Sequence, residues 1–260
     1  MSDEIIGLHR WFDSAPGRYL LAWEQEQVDE LVADVFGYHA VQLGMPGLQG
    51  LRANRMPHRW LALGVAESLL VQEPGAAACR PDLLADAVAL PFESASIDLV
   101  LLPHALELSV DPHAALREVE RVLVPEGRVV ISGLNPWSLW GLRQRRARLY
   151  QRCGAGGQLY LPDVGEFIAP GRLRDWLRLL NFEVDTLSFG CYRPAVGHAR
   201  WLERFEWMDG LGARWWPILG AAYTVVAVKR VHGMRLLPAP WLAAPHKKAA
   251  AVPVAQRHRP

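Results

Sequence analysis

Residues 86–135, DAVALPFESASIDLVLLPHALELSVDPHAALREVERVLVPEGRVVISGLN, contain two apolar runs on either side of an amphipathic segment. Leu99 begins one run and Val129 the other, and each is typical of a strand buried on both faces of a parallel sheet. Between them, Asp111 can cap a helix whose first residue is Pro112, where a missing N–H costs nothing. The order strand, helix, strand predicts a right-handed βαβ unit.

Two segments upstream of this unit also have recognisable patterns. Residues 18–36 repeat apolar side chains at helical spacing and are followed by Gly37, which predicts a helix that ends there. Residues 60–63 form a short apolar run that Gly64 terminates. We predict that this run is the first strand of the sheet.

Composition and length limit the kinds of protein that this chain can be. With 260 residues, 51% of them hydrophobic, the chain can bury a large core, and a net charge of +1 gives no general affinity for nucleic acid. Three widely spaced cysteines indicate neither a zinc site nor a disulfide framework. The first residues lack a basic region followed by an apolar one, and the apolar run at residues 215–228 is shorter than the ~20 residues of a membrane span. We therefore predict a cytoplasmic protein that requires no metal.

The joint spacing of several short motifs resembles the class I S-adenosylmethionine-dependent methyltransferases, and most closely their type 11 branch. The motifs are D-A-x-x-L-P-F from Asp86, I-D-L-V-L from Ile97, H-A-L-E-L from His104, D-P at Asp111, L-R-E-V-x-R-V-L from Leu116, P-x-G from Pro125 and N-P at Asn135. The resemblance implies a Rossmann-like, doubly wound α/β fold whose mostly parallel sheet has an antiparallel last strand. It also implies S-adenosylmethionine as the cofactor.

The resemblance suggests three parts of the chain. Residues 1–58 are predicted to form an N-terminal helical extension or cap, and residues 59–237 the methyltransferase-like domain. Residues 238–260 are rich in proline, alanine and basic residues, which is typical of a disordered tail.

The glycine motif of the family is degenerate here. After its first strand the family places a run such as E/D-x-G-x-G-x-G, in which glycines let the backbone approach the ligand and a helix N-terminus receives its carboxylate. With residues 60–63 as that strand, Gly64 is the surviving glycine, while Ala66 and Ser68 stand at the other two positions. Glu67 would repel the carboxylate of the methionine moiety by roughly 1–4 kcal/mol.

If residues 60–63 are the first strand, too few residues remain for the strands and helices expected before Asp86. Between Gly64 and Asp86 there are 21 residues, whereas a strand, helix and strand need about 30. Residues 71–82 contain two prolines and a glycine and have no helical stripe. We predict that the helix between strands two and three is missing or reduced to a turn.

The remaining cofactor contacts are implied by the resemblance. Asp82 is the nearest candidate for the acid that receives the ribose hydroxyls, with Glu73 as the second candidate. Asp86 would accept from the adenine amine and the backbone of Ala87 would support the ring, although Asp86 could equally cap a turn. Pro103, just after the fourth strand, would approach the sulfonium region.

Three residues are predicted to face the methyl acceptor. His104 follows the fourth strand and could accept a proton from a substrate near neutral pH, or it could merely pack or cap. Asn135 and Trp137 follow the fifth strand, where connections often form the substrate rim. His104 is thus the candidate catalytic residue, and all three are candidate substrate residues.

Two further segments carry unusual side chains. Residues 143–152 could grip an anionic substrate, a headgroup or RNA, or could be a solvated helix face. The arginines are Arg143, Arg145, Arg146, Arg148 and Arg152. Residues 201–219 form a helical insertion whose tryptophans we predict to be part of a core or lid rather than a cofactor box. These tryptophans are Trp201, Trp207, Trp215 and Trp216.

Two functions are consistent with these patterns. One is an S-adenosylmethionine-dependent methyltransferase that acts on an unidentified acceptor. The alternative is a catalytically inactive methyltransferase-like module for binding or regulation, which the degenerate glycine motif and the shortened segment after Gly64 motivate. In the alternative, the arginines of residues 143–152 would contact an acidic protein or nucleic acid.

Overall fold

A computed structural model of the chain describes residues 7–8, 10–65, 67–68, 80–154, 159–162 and 167–231. Its seven-stranded sheet has the order β3-β2-β1-β4-β5-β7-β6. The strands are β1 His39–Leu43, β2 His58–Leu63, β3 Leu83–Leu84, β4 Ile97–Pro103, β5 Leu123–Leu134, β6 Phe182–Gly190 and β7 Ala222–Lys229. Strands β1 to β5 pair in parallel, and β7 pairs antiparallel with both β5 and β6. The predicted doubly wound α/β fold with an antiparallel last strand is confirmed.

Helices cover the sheet and extend beyond its edges. The main ones are α1 Ala15–Ala33, α2 Ala105–Leu108, α3 Pro112–Val122, α4 Leu139–Arg152, α5 Pro170–Leu179, α6 Ala199–Arg204 and α7 Trp207–Trp215, followed by a 3₁₀ turn at Pro217–Leu219. The predicted N-terminal helix corresponds to α1, which begins and ends three residues earlier than expected. Its start is fixed by Ser14, whose side chain accepts a hydrogen bond from the Gly17 amide.

The predicted βαβ unit consists of β4, α3 and β5. Asp111 caps α3, since its Oδ1 accepts from the Ala114 amide at 2.9 Å, and Pro112 is the first helical residue. Leu116 and Val119 are fully buried on the inner face of α3. Local capping and a continuous apolar stripe were therefore enough to define this unit.

The predicted first strand is wrong. Residues 60–63 belong to β2, whereas the first strand is β1, His39–Leu43, which lies in the middle of the sheet between β2 and β4. The sheet thus begins inside the segment predicted to be an N-terminal extension. Gln42 interrupts the apolar run of β1, and for this reason hydropathy alone did not identify the strand.

This correction also explains the apparent shortage of residues after Gly64. Because β1 precedes β2, the chain between Gly64 and Asp86 makes one crossover, from β2 to β3, rather than two. The shortened connection lies instead between β1 and β2, where residues 44–57 contain no helix. Residues 71–79, most of the segment 71–82 that was predicted to lack a helix, lie outside the described residues.

Two hydrophobic layers enclose the sheet. Leu99 and Leu101 of β4 pack in the layer that contains the inner face of α1. Val100 and Leu102 pack in the opposite layer with α3 and α5. This alternation is the consequence of the two-residue period of a strand.

Two predictions concern segments at the margins of the described chain. The predicted tail, residues 238–260, lies outside the described residues. No helix in the described part is long and apolar enough to cross a membrane.

Candidate functional site

The carboxyl ends of four neighbouring strands, β3, β2, β1 and β4, meet at one edge of the sheet. In open α/β sheets this edge is where ligands bind. Each strand is followed there by a residue with a distinctive role: Asp86 after β3, Gly64 after β2, Gly44 after β1 and His104 after β4. We take this edge as the candidate site.

The turn after β1 is left-handed and is held by one buried side chain. Gly44 has φ +79° and Met45 has φ +55°. Gln42 Nε2 donates towards the carbonyl oxygens of Gly44 and Met45, each at 3.1 Å, and of Leu48 at 2.8 Å. Its Oε1 accepts from the Gly50 amide at 3.0 Å. Gln42 therefore supplies the hydrogen bonds that a helix would otherwise provide.

Glu67 lies at the carboxyl end of β2, at the start of a helical turn. It is buried, and its carboxylate accepts from the amides of Met45 at 3.4 Å and Gly64 at 3.3 Å. The predicted repulsion of the methionine carboxylate assumed that Glu67 followed the first strand, and that assumption is wrong. In the resembled family an acidic residue of the second strand receives the ribose hydroxyls, so Glu67 becomes a candidate for that contact once β2 is identified as the second strand. The sequence pattern did not indicate this candidate because the strand was misplaced.

The two aspartates near β3 occupy different positions. Asp82 precedes β3, and its Oδ2 accepts from the Leu61 amide at 2.8 Å, two residues before the end of β2. The ribose contact of Asp82 stays a prediction, and this hydrogen bond ties its carboxylate to β2. Asp86 does lie beyond the end of β3, with an exposed side chain that accepts from the Val88 amide at 3.2 Å. Ala87 is half-buried beside it. Glu73, the second candidate for the ribose contact, is outside the described residues.

His104 is completely buried between two carboxylates. Its Nδ1 is 2.8 Å from Glu107 Oε2, and its Nε2 is 2.9 Å from Oε1 of Glu24, which is also fully buried on α1. The second Glu107 oxygen accepts from the Leu134 amide at 2.7 Å. The cluster of Glu24, His104 and Glu107 therefore joins α1 to the ends of β4 and β5.

The electrostatics of this cluster favour a charged imidazole. Burial by itself lowers the pKa of His104, but the attraction of Glu24 and Glu107 outweighs burial and raises this pKa to about 10. Burial raises the pKa of Glu107. A protonated, enclosed imidazole cannot accept a proton from a substrate in this conformation. The predicted catalytic role of His104 is therefore not supported, and its geometry is that of a positioning residue that holds α1.

The raised pKa predicts a pH dependence of stability. The folded protein retains a proton on His104 that the unfolded chain, with a histidine pKa of ~6.5, releases above that pH. The stabilisation of the folded state by this proton is complete below pH ~6.5 and is lost towards pH 10. The free energy of unfolding should therefore fall by up to about 1.4 kcal/mol for each pH unit between these values. Urea unfolding between pH ~6.5 and ~8 measures this slope below the range in which cysteine and tyrosine titrate.

Two variants on α1 test the origin of the slope. Glu24→Gln removes one of the carboxylates that raise the pKa of His104, so we expect a flatter dependence. Glu26→Gln, on the same helix but exposed, should keep the wild-type slope. Equal slopes for the wild type and Glu24→Gln would contradict a charged His104.

Pro103, Asn135 and Trp137 lie around the ends of β4 and β5. Pro103 is the buried last residue of β4, next to Ser132 of β5. Asn135 is buried: its Nδ2 donates to the carbonyls of Ile218 and Gly220 at 2.8 and 2.9 Å, and its Oδ1 accepts from the Trp137 amide. Asn135 thus ties the fifth strand to the segment before β7, and its contact with the methyl acceptor stays a prediction. Trp137 is 62% exposed and remains a candidate rim residue.

The chain is similar in sequence to known proteins. The Methyltransf_11 family model, a methyltransferase domain, matches residues 62–131, from β2 to β5, and so leaves out β1. YafS, an uncharacterized protein of Escherichia coli (strain K12), is 32% identical over 235 residues, which cover 90% of this chain and 86% of that protein.

Two further proteins are similar over different extents. The demethylmenaquinone methyltransferase of Thermus thermophilus is 34% identical over 128 residues, 44% of this chain and 58% of that protein. An S-adenosylmethionine-dependent methyltransferase structure from Thermotoga maritima is superimposed with a TM-score of 0.57 at 16% identity, and covers 85% of this chain and 94% of that chain. At that identity the likeness concerns the fold alone.

Proposed function

Because this chain belongs to the class I S-adenosylmethionine-dependent methyltransferase family, with S-adenosylmethionine as its cofactor, we propose that it catalyses methyl transfer at the carboxyl edge of β1 to β4. The observation that carries the proposal is the convergence of Asp86, Glu67 and Gly44 on that edge from three consecutive crossovers. The acceptor is unidentified.

The acidic residues at this edge suit the adenosine half of the cofactor. The exposed carboxylate of Asp86 can accept from the adenine amine, and the backbone of Ala87 lies beside it to support the ring. The carboxylate of Glu67 lies at the carboxyl end of β2, beside the amides of Gly64 and Met45, and would accept from the ribose hydroxyls. Gly64, between β2 and Glu67, would line the same region.

The turn after β1 and the end of β4 offer fewer of the expected contacts to the methionine half of the cofactor. The left-handed Gly44 lets the backbone approach a ligand without a side chain, and Pro103 closes the end of β4. No helix follows β1, so its N-terminus is not there to receive the carboxylate of methionine.

Methyl transfer places modest demands on the protein. When bound, S-adenosylmethionine supplies a methyl group already activated as a sulfonium, so the chain need only align the acceptor and exclude water. Helix α1, fixed by the Glu24–His104–Glu107 cluster, would cover the reacting region, and Trp137 would form part of its rim. A cytoplasmic location is part of the proposal, supported by the free thiols of Cys153 and Cys191.

Calorimetric titration tests the proposal. We expect S-adenosylmethionine, or its demethylated product, to bind with a Kd near or below ~100 μM, which corresponds to about −5.5 kcal/mol. Asp86→Ala and Glu67→Gln should each weaken binding tenfold or more, because each removes a charged hydrogen-bond acceptor that contributes about 1.5–3 kcal/mol. Glu93→Ala, an exposed change in the connection from β3 to β4, is the matched control and should bind like the wild type.

The same titration decides between the two functions. The missing helix after β1 is the observation that favours the inactive module. If Asp86→Ala and Glu67→Gln bound S-adenosylmethionine as tightly as the wild type, the assignment of these two residues to the cofactor would be refuted. No binding of either ligand by folded protein would favour a methyltransferase-like module without catalysis.

A further inference from the structure

The surface around α4, α6 and α7 concentrates exposed aromatic and aliphatic side chains. More than half of the large hydrophobic side chains that are exposed in the described chain lie in residues 137–150 and 201–219. Of the two predicted places for the tryptophans, a core or a lid, the core is excluded, since Trp215 is 71% exposed and Trp207 is 58% exposed. Exposed apolar surface of this extent in a folded protein marks an interaction site.

The apolar side chains come from two segments. The first, at α4 and the turn before it, exposes Trp137, Leu139, Leu142, Leu149 and Tyr150. The second, from α6 to the 3₁₀ turn, exposes Trp201, Trp207, Trp215, Trp216, Ile218 and Leu219. We call these side chains, together with the arginines of α4, the aromatic–arginine face.

Hydrogen bonds join the two segments into one region. Asn135, just before α4, donates to the Ile218 carbonyl at 2.8 Å. The indole of Trp140 on α4 donates to the carbonyl of Arg193, in the chain that leads into α6, at 2.8 Å. Both segments therefore lie at the end of the sheet where β5 ends and β7 begins.

The charge of helix α4 has one sign. Helix α4 and its caps, residues 138–153, contain five arginines and no acidic residue. The guanidinium of Arg145 lies 4.8 Å from the centre of the Trp137 ring, and that of Arg146 lies 6.0 Å from the Tyr150 ring. In the segment from α6 to α7, the side chain of Asp209 is engaged by Tyr19 and Arg193, and the exposed Glu203 and Glu206 are balanced by the segment's own exposed arginines. Cationic and aromatic groups thus share a surface.

We propose that the aromatic–arginine face docks on the surface of an anionic phospholipid bilayer. Tryptophan and tyrosine are favoured at the headgroup level, aliphatic side chains insert below them, and arginines attract anionic headgroups. A nucleic acid would pair with the arginines, but it would offer no apolar partner to Leu142, Leu149 and Ile218. Docking would bring the rim at Trp137 next to the bilayer, and it does not depend on cofactor binding.

Cosedimentation of the full chain with vesicles tests the proposal. We expect binding to vesicles of equimolar phosphatidylcholine and phosphatidylglycerol that is at least about tenfold tighter than to phosphatidylcholine alone. Binding should weaken from about 0.1 M to about 1 M salt, because the Debye length falls from ~10 to ~3 Å. Absence of binding to the anionic vesicles at low salt, by folded protein, would overturn the proposal.

Paired variants locate the contact. Arg146→Glu with Arg152→Glu should lose more than about tenfold in vesicle affinity, and Trp207→Ser with Trp215→Ser should lose about tenfold. Arg174→Glu with Arg178→Glu changes the charge equally on exposed positions of α5 and should bind like the wild type. All these positions are exposed, and equal urea midpoints would verify the fold.

Two outcomes would contradict the docking surface. Equal losses from the α4 and α5 charge reversals would mean attraction by overall charge rather than by this face. If the charge reversal on α4 lowered the vesicle affinity but the double tryptophan variant bound like the wild type, the face would be a general polyanion site, such as one for nucleic acid.

Discussion

Replacing Gln42 by leucine is expected to lower the free energy of unfolding by at least about 3 kcal/mol. The change keeps the size of the side chain but removes the partner of four backbone groups: the carbonyls of Gly44, Met45 and Leu48 and the amide of Gly50. Gln42 is 3% exposed, so water does not readily replace these bonds. Urea unfolding at neutral pH measures the loss.

Two further variants make this test specific. Gln42→Glu places a carboxylate against three carbonyl oxygens and should be at least as destabilising. Gln27→Leu, on a half-exposed position of α1, should change stability by less than about 0.5 kcal/mol. A Gln42→Leu protein within about 1 kcal/mol of the wild type would mean that the β1 turn is held by packing instead.

Removal of the Glu107 side chain has the second large expected effect. Glu107→Ala leaves the buried imidazolium of His104 without its Nδ1 partner and the Leu134 amide without an acceptor. Breaking a buried pair by removing one partner costs about 3–5 kcal/mol, because the other charge stays buried. We expect that loss in urea unfolding at neutral pH.

The glutamine variant separates charge from hydrogen bonding. Glu107→Gln has one oxygen for either the Leu134 amide or the His104 Nδ1–H, and it leaves the ion pair between Glu24 and His104, so we expect a smaller loss than in Glu107→Ala. Glu26→Ala, exposed on α1, should be within about 0.5 kcal/mol of the wild type. If Glu107→Ala cost no more than Glu107→Gln, the charge on His104 would not be what the cluster stabilises.

Some of the candidate site could be predicted from the sequence. Asp86 was placed correctly beyond the third strand because the motif around it is short and continuous in the chain. Its role towards adenine, like that of Ala87, stays a prediction. Glu67 was identified as unusual, but it was assigned to the wrong strand. The Asp82 contact stays a prediction, because a carboxylate next to a strand can bond the neighbouring strand as readily as a ligand.

The βαβ unit of β4, α3 and β5 could be predicted from local signals: its cap at Asp111, its amphipathic stripe and its apolar runs. The central position of the strand His39–Leu43 could not, because strand pairing depends on distant partners and Gln42 obscures the local pattern. The contact of Glu24 with His104 could not be predicted either. Two residues 80 positions apart in the chain carry no mutual signal in their spacing, and only the packing of α1 on the sheet brings their charges together.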